Sequence, residues 1–169
     1  LNAPAVRLEA ELGRRGLAYF LKERLPMLRD EWVDRAGLTV ALGGVPVTLE
    51  EMAGMYAAVA CGGEFRPLRY FVDEAPDAAA ARRVLDPRVA YVLTDMLGDV
   101  DRPDLPRAWE FAPGLAKVAL KTGTSFGLRD AWCVGFNPEY TVAVWRGNAD
   151  YRGAPSLTGV GDAAPVFIE

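Results

Sequence analysis

Val118-Ala119-Leu120-Lys121-Thr122-Gly123-Thr124 is the stretch on which the fold turns. A short apolar run leads into Lys-Thr-Gly-Thr, which reads as a strand ending at a glycine. The same period of two continues downstream. Ala131 to Phe136 reads as a second strand, Asn137-Pro138-Glu139 as a turn, and Tyr140 to Arg146 as a third strand. Three strands with short connections predict an antiparallel meander.

Upstream the period is that of helices. Asn2 and Pro4 open a first helix with Ala5, Leu8 and Leu12 on one face, broken at Gly13 and Gly16. A second helix is predicted from Leu17 to Leu25, ending at Pro26. Leu28 to Leu42 is mixed, with Trp32 and Val33 expected inside and a turn at Gly43-Gly44. Thr48 and Glu51 form a Thr-x-x-Glu capping box. Behind it Leu49, Met52, Ala53, Tyr56, Ala57 and Ala60 mark a buried face, and Gly62-Gly63 stops the helix. Phe65 to Val72 reads as a short strand or an extended crossing. Asp86 caps a further helix at Pro87, with Val89, Val92, Leu93, Met96 and Leu97 as its expected core face. Asp99 to Pro113 and Gly147 to Gly161 read as loops, and Asp162 as the cap of a last helix. Helices followed by an antiparallel sheet give an α/β chain with no linker and no second domain.

Composition narrows the chemistry. The 169 residues carry 19 basic and 23 acidic side chains, a net charge of −4, and the arginines are mixed with acids rather than gathered in a stripe. Nucleic-acid binding is therefore not expected. There is no histidine, so catalysis by Ser-His-Asp or Cys-His is excluded within the chain, as are His-containing zinc sites. Cys61 and Cys133 are too few and too far apart for a metal site and read as two small buried hydrophobes. No apolar run reaches membrane-spanning length.

Lys-Thr-Gly by itself also fits a strand end in which Lys121 is a solvated edge charge and the threonines serve β-propensity. Its surroundings shift that reading. The stretch Lys121-Thr122-Gly123-Thr124-Ser125-Phe126-Gly127-Leu128-Arg129-Asp130-Ala131-Trp132-Cys133-Val134-Gly135-Phe136 resembles the bifunctional (class A) penicillin-binding proteins. Leu42 to Met52, followed by Tyr56-Ala57-Ala58 and Gly62-Gly63, resembles that family's helix after its second motif. Leu1-Asn2-Ala3-Pro4-Ala5-Val6 resembles the remainder of that motif, Ser-x-Asn, with its Ser just ahead of the first residue.

The resemblance implies residues 1–169 as the C-terminal portion of a transpeptidase domain, in the fold shared by penicillin-binding transpeptidases and serine β-lactamases. It implies a D,D-transpeptidase that cross-links peptidoglycan stem peptides ending in D-Ala-D-Ala through an acyl-serine and is itself acylated by β-lactams, with no cofactor and no metal. By the same resemblance Lys121 draws the substrate carboxylate and helps move protons. Thr122 and Thr124 hydroxyls bind that carboxylate, Gly123 leaves room for substrate along the strand, and the Thr124 N–H is one oxyanion donor. Asn2 would bind the acyl donor's backbone, beside its local reading as a helix N-cap. Arg129 and Asp130 read as a salt-bridged or solvated loop pair, and Trp132 and Trp145 as core aromatics of the sheet.

One part of the pattern is missing. Ser-x-x-Lys supplies the nucleophile, and the chain's two serines, Ser125 and Ser156, have Leu128 and Gly159 three residues on. The upstream segment of the same protein is expected to supply the nucleophile. It is also expected to supply a strand for the edge carrying Val142 and Val144, and a membrane anchor that places the site on the periplasmic face. A D,D-carboxypeptidase or serine β-lactamase of the same fold, or a non-catalytic binding module, stays open beside the transpeptidase.

Overall fold

Helix α1 (Asn2–Leu12) starts with Pro4 in its first turn, where the missing N–H costs nothing, and a 3-10 turn at Gly13–Arg15 ends it. Helix α2 (Leu17–Arg24), helix α3 (Asp30–Ala36) and a 3-10 segment (Gly37–Leu42) follow. The structure is a computed structural model and describes residues 2–25, 28–75, 77, 80–99 and 118–169. It divides into two units, Leu1–Glu51 and Met52–Glu169.

In the first unit the breaks fall where the glycines predicted them. Val33 is buried at 1 % exposure, whereas Trp32 is only half-buried, with the Arg35 guanidinium 5.6 Å above its ring. Helix α2 starts at Leu17 as predicted, but its cap was not foreseen. Gly16 holds the N-cap position and has no side chain to offer. The Glu9 carboxylate takes that role from α1, accepting the N–H groups of Leu17 at 2.7 Å and Ala18 at 3.1 Å. Two orphan donors of a helix start explain why this charged side chain is 7 % exposed.

Helix α4 (Leu49–Ala60) opens with the expected box. Glu51 N–H donates to Thr48 Oγ1 at 3.1 Å, and Thr48 N–H to Glu51 Oε2 at 2.7 Å. It closes in a Schellman motif: Gly63 N–H donates to the Ala58 carbonyl and Gly62 N–H to that of Val59, both glycines at positive φ. The buried stripe differs from the expected one. Gly54 and Ala58 are the most buried residues, Leu49 and Ala60 are exposed, and the rest of the expected face is half-buried. Phe65 packs over Gly54, where a Cβ would lie 3.4 Å from its ring.

Strand β1 (Glu64–Phe65) is far shorter than Phe65 to Val72 and pairs with β2 (Arg82–Arg83), a partner the sequence did not reveal. Helix α5 (Pro87–Gly98) has the expected cap, Asp86 accepting the Arg88 N–H at 2.9 Å. Its face is corrected: Ala90 is buried while Val89, Val92 and Met96 are exposed. The inward stripe is Ala90, Leu93, Thr94 and Leu97. Close approach to the sheet selects alanine, and Thr94 can face inward because its hydroxyl donates to the Ala90 carbonyl at 2.9 Å. The loop expected up to Pro113 lies, beyond Asp99, outside the described residues.

The meander is as predicted. Strands β3 (Ala119–Thr124), β4 (Asp130–Phe136) and β5 (Thr141–Gly147) form one antiparallel sheet in the order β3-β4-β5. The β4–β5 turn is held by Asn137, whose Oδ1 accepts the N–H groups of Glu139 and Tyr140. One sheet face, with Leu120, Ala131 and Cys133, packs on Leu157, Ala163 and Ala164 to make the core. Phe136, on the other face, meets Tyr56 of α4 edge-on, with ring centroids 6.4 Å apart.

Four smaller expectations are corrected. Cys133 is buried but Cys61 is exposed. Trp132 is half-buried and Trp145 is 38 % exposed. Trp145 Nε1 donates to Asp130 Oδ1 at 2.9 Å, so the indole rather than Arg129 is the partner seen for Asp130. The last helix, α6 (Ala164–Ile168), follows a π-turn at Gly159–Ala163 whose N-cap is Thr158, not Asp162. Among the described residues no helix is long and apolar enough to cross a membrane.

Candidate functional site

Lys121, Thr122, Gly123 and Thr124 occupy the end of β3, the terminal strand of the sheet, whose outer edge is unpaired among the described residues. The Ser125 N–H donates to the Asp130 carbonyl at 3.0 Å, so this pair is one of the hydrogen-bonded pairs of the ladder. Antiparallel alternation then turns the N–H and C=O groups of Thr122 and Thr124 away from β4, toward the free edge. Side-chain alternation puts Lys121 and Gly123 on the α4 side of the sheet and Thr122 and Thr124 on the α6 side. Lys121 still reaches the edge: its exposed ammonium donates to the Thr122 carbonyl at 2.7 Å. The edge thus carries a cation, an outward backbone N–H at Thr124 and a hydroxyl.

Gly123 is not demanded by packing within the chain. A Cβ there would meet Trp132 Cβ at 3.7 Å, an ordinary contact. Thr124 is held more firmly. Its Oγ1 accepts the N–H of Gly159 at 3.0 Å, across 35 residues of sequence. The turn bearing Gly159 is closed by Gly161 N–H donating to Thr158 Oγ1 at 3.0 Å and Thr158 N–H donating to Asp162 Oδ2 at 2.9 Å. Arg146 of β5 donates to Asp162 Oδ1 at 3.0 Å. Sequence reasoning missed Gly159; the Thr158-x-x-x-Asp162 spacing was the available signal, and it says nothing of Thr124.

Beyond Thr124 the chain turns tightly. Ser125 Oγ accepts the Asp130 N–H at 2.9 Å, so its hydroxyl serves the turn. Gly127 and Leu128 both have positive φ, and the exposed Phe126 stands at the tip. Asn2, the remaining candidate, is the exposed first residue of α1 in the first unit. A cavity of about 640 Å³ is lined by Thr94, Asp95, Ala119, Phe136 and neighbours at the opposite end of β3. Charge and outward backbone donors mark the Lys121–Thr124 end instead.

Residues 18–167 match the family model of the penicillin-binding protein transpeptidase domain. Penicillin-binding protein 1C of Escherichia coli (strain K12) is 35 % identical over 168 residues, 99 % of this chain and 21 % of that protein. Penicillin-binding protein 1A of Neisseria lactamica is 32 % identical over 148 residues, 78 % of this chain and 18 % of that protein. The chain thus spans about a fifth of the length of these relatives. The crystal structure of penicillin-binding protein 1A from Haemophilus influenzae superimposes with a TM-score of 0.74 at 21 % identity, covering 99 % of this chain and 32 % of that one. Penicillin-binding protein A of M. tuberculosis, solved as an imipenem acyl-enzyme complex, gives 0.53 at 24 % identity over 78 % of this chain and 33 % of that one.

Proposed function

The chain belongs to the penicillin-binding protein transpeptidase family, and from that premise we propose that residues 1–169 form the C-terminal portion of a peptidoglycan D,D-transpeptidase domain. The observation that carries the reading is the β3 edge, unpaired among the described residues, with the Lys121 ammonium upon it and the Thr124 N–H turned outward. A stem peptide ending in D-Ala-D-Ala lies antiparallel along this edge, pairing with the outward groups of Thr122 and Thr124. Gly123 adds no bulk, and Lys121 with the threonine hydroxyls draws the terminal carboxylate.

A serine from the segment ahead of this chain attacks the penultimate D-Ala carbonyl. The Thr124 N–H shares in holding the oxyanion, the serine proton passes to the departing D-Ala amine, and an acyl-serine remains. An amine of a neighbouring stem then takes the acyl group and returns the proton to the serine. A β-lactam enters the same step and stays attached, because its leaving group is tethered. A membrane anchor elsewhere in the protein holds the domain on the periplasmic face.

Incubation with benzylpenicillin followed by intact-mass measurement tests this. The full-length protein gains one penicilloyl group and the isolated 169-residue chain gains none. Lys121→Ala lowers the acylation rate about 10²-fold or more. A full-length protein with no adduct, or an adduct on Ser125 or Ser156, overturns the reading.

A further inference from the structure

Thr124 is held in a way that bears on what its hydroxyl can do. A hydroxyl has one proton to donate and two lone pairs. The Gly159 N–H, 3.0 Å from Oγ1, occupies one lone pair, so the hydroxyl proton of the exposed Thr124 cannot point at Gly159 and is left for an acceptor elsewhere. A free threonine hydroxyl would rotate among neighbouring carbonyls. This one is biased to donate away from Gly159.

The contact depends on residue 159 being glycine. It is buried against the sheet, and a Cβ there would collide with the Gly123 carbonyl oxygen and lie 2.7 Å from the Trp132 carbonyl oxygen and 2.9 Å from the Gly123 nitrogen. These are backbone atoms of two paired strands and cannot step aside. The absence of a side chain lets the π-turn sit directly on the Lys-Thr-Gly backbone, with its N–H within reach of Thr124. The turn is itself pinned from the far strand: Arg146 holds Asp162, Asp162 holds the Thr158 N–H, and Thr158 is the residue before Gly159.

We propose that Gly159, held by the Thr158–Asp162 turn, is a positioning residue that orients the Thr124 hydroxyl as a donor to the carboxylate of the ligand on the β3 edge. The proposal rests on the transpeptidase reading above and adds to it a residue that touches no substrate. It predicts that disturbing Gly159 harms recognition of the carboxylate specifically, through Thr124.

The test compares acylation rates of the full-length protein by benzylpenicillin and by its methyl ester, which lacks the anionic carboxylate. In the wild type the free acid reacts faster. Thr124→Val lowers the acid-to-ester rate ratio about tenfold, and Thr124→Ser preserves it. Gly159→Ala lowers the same ratio, and it lowers it no further when Thr124 is already valine. Should Gly159→Ala fail to fold, Asp162→Asn, which loosens the turn without adding bulk, is read the same way and lowers the ratio several-fold. Equal slowing of acid and ester, or a full extra loss of ratio on top of Thr124→Val, overturns the proposal while leaving the transpeptidase reading intact. Absence of acylation by either compound in the wild type, or indifference to Lys121→Ala, sinks the transpeptidase reading and the proposal with it.

Discussion

Gly16 in the first unit and Gly159 in the second do one job in different surroundings. Each lets a side-chain oxygen from elsewhere reach a backbone N–H: Glu9 reaches Leu17 and Ala18 beside Gly16, and Thr124 reaches Gly159 itself. Each leaves no room for a Cβ. At Gly16 the obstacle is the Glu9 carboxylate, 2.6 Å from where that atom would sit. At Gly159 it is the backbone of β3 and β4. A carboxylate at the end of a side chain can swing away, losing its hydrogen bonds and little else. Two paired strands cannot move without giving up their register. A shared local device thus has a local cost in one unit and a cost to the sheet, and to the edge beside it, in the other.

The contrast is sharpest in stability. Gly159→Ala destabilises the transpeptidase domain by about 3 kcal/mol, the upper part of the range for forced overpacking, read as a drop in urea midpoint. A change below about 0.5 kcal/mol would mean the turn lifts off the sheet freely and the two glycines are alike.

Glu9→Ala comes next, at about 2 kcal/mol, because two N–H groups at the start of α2 lose a charged acceptor. Hydrogen exchange at Leu17 and Ala18 reports it, rising while exchange in β3 to β5 stays unchanged. Faster exchange throughout the sheet would show that Glu9 supports more than its own helix start.

A change of sign separates the two glycines further. Gly16 has φ −77, which alanine adopts without strain. Gly16→Ala therefore costs about 1 kcal/mol when Glu9 is present, through displacement of the carboxylate. With Glu9 already alanine, it stabilises by about 0.5 kcal/mol through the unfolded state. A double-mutant cycle measures this, and additive costs would break the comparison.

The smallest effect concerns a cap wholly local in sequence. The Arg88 guanidinium, and then the Arg88 backbone N–H, hold the Asp86 carboxyl below the usual aspartate range. The sign follows from that depression. The contribution of this cap to α5 is fully present above the unfolded aspartate pKa and is lost as pH falls through the lower folded value. Acid titration monitored by exchange at the first turn of α5 shows this loss, and Asp86→Asn removes it. Because the pair is exposed, salt shrinks the effect.

These cases divide the molecule by the range of the interaction. Thr48 with Glu51 and Asp86 with Arg88 are partners within three residues, so any conformation that starts the helix brings them together. The period-two run from Val118 to Arg146 likewise implied the meander, because the turns between its strands are too short for another pairing. Lys121 to Thr124 could be named as candidate site residues because the stretch they open resembles a family motif. Hydrophobicity did not choose the buried side of α5. Val89, Val92 and Met96 are apolar yet exposed, while Ala90 is buried and Thr94 half-buried. The cap of α2 could not be read from Gly16, since its acceptor is on another helix. The partner of Thr124 lies 35 residues away and is joined to it only once the sheet and the last turn have packed. The sequence alone determined where α4 and α5 start and how β3, β4 and β5 pair, because those interactions close over a few residues. Only the tertiary structure decided which faces are buried and which donor holds the Thr124 hydroxyl, because close packing selects by shape and distance, not by residue type.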